Sequence, residues 1–117
     1  MKWPVLALLL CAVPAAAAED QRAFAKCFSC HSVNPDETDL PGPNLHGIIG
    51  RPAAAIGGFR YSPAMRAAGD HGLVWTPELL DRYLQDPQAV VPETTMNLIG
   101  LRDAAERQRV IDYLRQQ

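Results

Sequence analysis

The fold class that the sequence predicts is an all-α domain of three to five short helices joined by long irregular connections. Three observations predict it. Ser-Pro and Thr-Pro pairs, each a cap followed by a proline suited to the first helical position, open apolar runs at helical spacing. No segment sustains the apolar–polar alternation of a half-buried strand. The 8 glycines and 10 prolines gather between the helical segments and so mark the loops. The 117 residues suit one domain rather than two. A hydrophobic share of 48% argues for a globular chain, and a formal net charge of −2 implies neither a basic nucleic-acid surface nor an acidic tail.

The elements follow in chain order. Residues 1–18 read as a signal peptide. Met1 and Lys2 form a minimal basic start, Trp3 to Val13 an apolar run broken by Pro4, and Ala16-Ala17-Ala18 a small-x-small cleavage pattern. Cleavage is expected between Ala18 and Glu19. An uncleaved membrane anchor is the alternative, but the run falls short of the roughly 20 residues of a comfortable span. Leu10 before Cys11 is too bulky for a lipoprotein signal. Cleavage removes Cys11 and Lys2, leaving residues 19–117 with two cysteines, one lysine, and ten basic against thirteen acidic side chains.

Asp20 to Cys30 contains no Gly or Pro and predicts a first helix ending near the cysteines. Residues 34–44 then form a loop, and 47–59 are irregular. Ser62-Pro63 opens a short helix closed by Gly69. Thr76-Pro77 opens the next, with Leu79, Leu80, Tyr83 and Leu84 at helical spacing and Pro87 as its stop. Asp103 with Glu106 resembles a capping box. Val110, Ile111 and Leu114 fall on one face of a last helix, about Ala104 to Arg115. So few helices make a thin core for about 99 residues, and a large apolar group at the centre would complete it.

Cys27-Phe-Ser-Cys30-His31 supplies that group's signature. C-x-x-C-H is the haem c attachment pattern. On one helical turn the two thiols reach the two vinyl groups along one porphyrin edge, and the next imidazole is directed at the iron. A second axial ligand is then needed, and methionine is a common one. Met96 lies in a loop, which can aim one side chain at a fixed metal. Met65 lies inside a predicted helix and reads more simply as core filler. Met96 is therefore preferred. A thiol–disulfide module would want a βαβ pattern around the cysteines, and none is present. Zinc would want four ligands, but Cys27, Cys30 and His31 crowd one turn while His46 and His71 stand alone. A disulfide across so short a loop would be a poor staple.

These motifs make the chain similar to the class I cytochromes c, the mitochondrial type and its soluble bacterial relatives. The resemblance covers Phe24 to Leu114: the attachment site, "GPNLHGIIGR" from Gly42 to Arg51, "GFRYS" with Trp75, "LLDRYLQDP" from Leu79 to Pro87, "VPETTM" ending at Met96, and "RVIDYL" in the last helix. It implies a cytochrome c fold wrapped around one covalently bound haem c with its iron. Cys27 and Cys30 would form thioethers, and His31 and Met96 would ligate the iron. The Pro43 carbonyl would accept from the other ring nitrogen of His31, with the backbone near Gly42 and Asn44 supporting that turn. Arg51, Tyr61, Trp75 and Thr94 would hydrogen-bond the propionates, and Tyr83 would lie near the Met96 sulfur. Leu45, Ile48, Leu80, Leu84, Leu98 and Leu114 would wall the pocket.

The implied function is periplasmic, non-enzymatic, single-electron transfer by a monomer. Its expected partners are redox proteins, a membrane reductase or oxidase or a periplasmic dehydrogenase, with no nucleic acid and no membrane insertion after cleavage. The alternative is a haem-based peroxidase or small-gas sensor with Met96 dissociated, which ligand binding to the resting protein would reveal. The sequence departs from the mitochondrial members where Gln88, Ala89 and Thr95 replace lysines, Glu93 replaces a loop glycine, Leu98 a phenylalanine and Met65 a polar residue. Arg60, Arg66 and Arg102 would compensate only in part, so weaker electrostatic steering is expected.

Overall fold

In the computed structural model of the protein, residues 1–2, 7–12, 14–96 and 100–117 are described. Five α-helices follow in order: α1 (Ala15–Phe24), α2 (Pro63–Asp70), α3 (Pro77–Gln85), α4 (Pro87–Val90) and α5 (Ala104–Arg115), with a 3₁₀ turn at Ala25–Cys27. Among the described residues there is no strand. A single antiparallel bridge joins Pro52 to Val74, flanked by bonds between Arg51 and Trp75 and between Ala53 and Leu73.

The cap chemistry explains most boundaries. The Ser62 hydroxyl accepts from the Met65 amide and Thr76 from that of Leu79, so each proline occupies a position with no amide to satisfy. Asp103 accepts from Ala105, but Glu106 does not complete a capping box because it pairs with Lys26 across the α1–α5 contact. The helix expected to close at Gly69 runs to Asp70, where the His71 ring donates to the Ala67 carbonyl at 2.7 Å. Pro87 ends nothing by itself: α3 stops at Gln85, and Pro87 takes the first position of α4. The first helix starts at Ala15 rather than Asp20, so the Ala18–Glu19 bond lies inside α1.

The core gathers where α1, α3 and α5 meet. Phe24 is fully buried and stacks on Tyr113 with ring centroids 4.8 Å apart, while Phe28 meets it edge-on at 4.8 Å. Val110, Ile111 and Leu114 of α5, Leu80, Tyr83 and Leu84 of α3, and Ile48, Ala53, Trp75, Val91 and Leu101 from the connections complete the cluster. By contrast, Leu8, Leu9 and Leu10 are 83–92% exposed and lie outside this core. No helix among the described residues is long and apolar enough to cross a membrane.

Candidate functional site

The 3₁₀ turn after α1 carries the cysteine cluster toward the core. The His31 amide bonds the Cys27 carbonyl at 2.9 Å and that of Cys30 the same carbonyl at 3.2 Å, so the C-x-x-C-H segment closes as one helical turn. Gly42 returns the next loop against it, its amide 2.7 Å from the Cys30 carbonyl. That approach brings the Pro43 carbonyl to 2.7 Å from His31 Nδ1. A carbonyl only accepts, so Nδ1 carries the proton and Nε2 carries the lone pair. Burial holds the His31 pKa below its ordinary value, with the Pro43 bond opposing, which favours the neutral ring. A neutral imidazole with one fixed tautomer is a preorganised metal donor.

The loop that presents Pro43 is itself braced. Asn44 donates to the carbonyls of Asn34 (2.6 Å) and Glu37 (2.9 Å) and accepts from the His46 amide (2.8 Å). Arg51 donates to the Asn44 carbonyl at 2.9 Å and also to that of His46. Burial lowers the Arg51 pKa and Tyr61 opposes that fall. The Tyr61 hydroxyl accepts from the Ile56 amide at 3.1 Å, leaving its own proton free to donate.

On the opposite wall, Tyr83 of α3 packs on Trp75 with ring centroids 4.9 Å apart. Its hydroxyl lies 2.9 Å from Thr94 Oγ1, and that oxygen also accepts from the Met96 amide at 3.4 Å. Burial raises the Tyr83 pKa, with the Thr94 bond pulling the other way, so the phenol stays protonated. The Asn44 side chain, and not its backbone alone, holds the Pro43 turn. Gln88, which the sequence marks only as the replacement of a lysine, bonds the Glu93 amide and the Thr94 carbonyl, and Arg107 of α5 is buried against Asp81.

One cavity of about 400 Å³ lies between these walls. All ten residues named from the sequence line it: Cys27, Cys30, His31, Pro43, Arg51, Tyr61, Trp75, Tyr83, Thr94 and Met96. So do Leu45, Ile48, Leu80, Leu84 and Leu114, whereas Leu98 lies outside the described residues. Met65 of α2 lines the cavity as well, so both methionines border it. His46 and His71 do not: each ring bonds a backbone carbonyl elsewhere.

The donor set fits a haem and not the competing chemistries. Burial pushes the Cys27 thiol up to about 11, the reverse of the lowered pKa that a reactive C-x-x-C pair needs. Cys27 and Cys30 are both free of disulfides. No group of three or more His, Cys, Asp or Glu side chains that could hold a metal ion occurs among the described residues, which leaves zinc without its ligands. What the cavity offers is an apolar slot with two thiols and one imidazole on one edge and a thioether among its linings.

No family model matches the chain. Individual relatives do. The chain is 39% identical over 98 residues to "Cytochrome c2" of Afifella marina, covering 84% of this chain and 79% of that one. It is 39% identical over 112 residues to "Cytochrome c2 iso-2" of Rhodospirillum centenum, covering 85% and 93%. The solved structure of cytochrome c2 from the latter organism superposes with a TM-score of 0.78 at 40% identity, covering 86% of this chain and 96% of that one. Identity and fold thus agree over most of each chain: the chain belongs to the class I cytochromes c, electron-transfer proteins of all-α fold with one covalent haem c.

Proposed function

We propose that Cys27 and Cys30 hold the haem through thioether bonds, that His31 and Met96 are its axial ligands, and that the protein carries single electrons in the periplasm. The observation that carries this reading is the single cavity that unites the ten residues, with His31 already held in the donor tautomer by Pro43. When bound, the haem supplies a one-electron couple at its iron. The polypeptide's work is to hold that couple still. His31 is fixed by a short bond to backbone, and the Met96 segment is tied to α3 through Thr94 and Tyr83. Met96 is preferred to Met65 because it follows a loop whose neighbours are individually anchored, whereas Met65 sits in the capped first turn of α2. Arg51, Tyr61, Trp75 and Thr94 supply polar atoms beside the cavity, and propionates buried there would need such donors.

Export is supported by the leader pattern and by the exposure of Leu8, Leu9 and Leu10. The proposed partners are a membrane reductase or oxidase or a periplasmic dehydrogenase, met by a monomer through a small, short-lived interface at the cavity mouth. With His31 and Met96 both given to the iron, this reading leaves no open coordination position for a substrate, and so describes a carrier rather than an enzyme.

The test is the intact mass of periplasmic protein together with its pyridine haemochrome spectrum. The expected mass is that of chain Glu19–Gln117 plus one haem, with the spectrum of two thioether links. A bare chain would overturn the reading. Met96→Leu is expected to abolish the sulfur-to-iron charge-transfer absorption, and Met65→Leu to keep it.

A further inference from the structure

The segment that delivers Met96 contains a conformational cost. Glu93 has φ +66°, a left-handed conformation in which a residue with a Cβ is strained. The peptide groups around it are gripped by one side chain. Gln88, on α4, donates from Nε2 to the Thr94 carbonyl at 3.0 Å, and its Oε1 accepts from the Glu93 amide at 2.8 Å. The two partners, one acceptor and one donor, fix which end of the carboxamide is which. Among the described residues no other side chain bonds either group. Thr94 in turn holds the Met96 amide and the Tyr83 hydroxyl. The grip therefore acts two residues from the thioether, where the turn would otherwise relax.

We propose that Gln88 is a positioning residue for the Met96 segment, its carboxamide clasping the strained Glu93–Thr94 turn so that the segment opens rarely. The proposal rests on Met96 being the axial ligand. Position 88 contributes here by orientation rather than charge: a neutral amide can donate and accept at once, which an ammonium group cannot. Losing both bonds from a partly exposed clasp is expected to speed opening by about tenfold.

The experiment uses oxidised holoprotein. Imidazole is mixed in at saturating concentration, so that the binding rate reports how often Met96 leaves the iron, and the Glu93 amide is followed by hydrogen exchange. Q88A is expected to bind imidazole about tenfold faster and to exchange the Glu93 amide faster by a similar factor, with α5 amides unchanged. Gln88→Glu keeps the acceptor but loses the donor, and is expected near threefold. Glu93→Gly, which relieves the strain, is expected to offset much of the Q88A effect in the double variant. A wild type with the sulfur-to-iron absorption and a Q88A variant within twofold of it in both rates would overturn the proposal alone. A wild type without that absorption would overturn the ligand reading and the proposal with it.

Discussion

A methyl carbon added to Gly42 would lie 2.5 Å from His31 Cε1, 2.7 Å from Nδ1 and 2.8 Å from the Cys30 carbonyl oxygen. Two of those neighbours belong to the imidazole, and the third is backbone of the attachment turn, so neither can yield without moving the other. Gly42→Ala should therefore push the ring from the Pro43 carbonyl and cost about 2 kcal/mol or more by overpacking. Gly57, with nothing within 4 Å of its added carbon, is the control, and Gly57→Ala should stay within about 0.5 kcal/mol. Denaturant unfolding of the two holoproteins measures the difference. The Pro43 bond was legible from the family segment, because a backbone carbonyl follows from the loop's course alone. The Asn44 side-chain brackets were not, since they depend on how residues 34–37 come back across the loop.

At the scale of elements, α5 shows what periodicity reveals and what it hides. Val110, Ile111 and Leu114 announced its buried face. Arg107 lies on the same face one turn earlier and is only 6% exposed, so a charge on the apolar stripe was the available sign that it had partners. Its Nε meets Asp81 of α3 at 2.8 Å, and Nη1 donates to the carbonyls of Leu101 (2.8 Å) and Arg102 (3.0 Å). Beside it Gly100 crosses the end of α3 so closely that an added carbon would fall 1.9 Å from the Gln85 carbonyl oxygen, and the Leu101 amide bonds Leu84. These contacts anchor the chain just after the Met96 loop. Arg107→Ala should cost about 3 kcal/mol, since the buried Leu101 carbonyl and the half-buried Arg102 carbonyl lose their donor. Asp81→Asn should cost only about 1 kcal/mol, because Asp81 is 41% exposed and Arg107 keeps its carbonyls. Thermal or denaturant unfolding ranks the two. The short α4 was illegible for a different reason: Pro87 signals a stop and a start with equal force, and four residues carry no period.

For the molecule as a whole, the telling inventory is of groups able to reach the iron. Lys26 is the one lysine among residues 19–117, and it is engaged by Glu106 on α5 rather than free beside the Met96 loop. That loop offers Gln88, Ala89 and Thr95, none of which can become a strong nitrogen ligand. Composition alone made this legible, whereas the ion pair that occupies Lys26 needed the α1–α5 crossing. With Met96 as the axial ligand proposed above, alkaline titration should therefore keep the sulfur-to-iron absorption to about pH 10, where tyrosine and lysine side chains ordinarily titrate. The change that follows should be loss of the fold rather than exchange of one ligand for a lysine. Its source is the two phenols whose pKa burial raises above the ordinary 10.0, Tyr83 and Tyr113. Each binds its proton more tightly in the folded chain, so its contribution is complete below pH 10 and declines as pH rises toward the higher folded value. Unfolding free energy should thus be flat from neutral pH to about pH 10 and fall beyond it, with absorption loss following the same curve. Tyr113→Phe should flatten part of that fall, because the Tyr113 hydroxyl has no hydrogen-bond partner among the described residues while Tyr83 holds Thr94. A nitrogen-ligated form growing in near pH 8 or 9, with the fold intact, would show that another group reaches the iron.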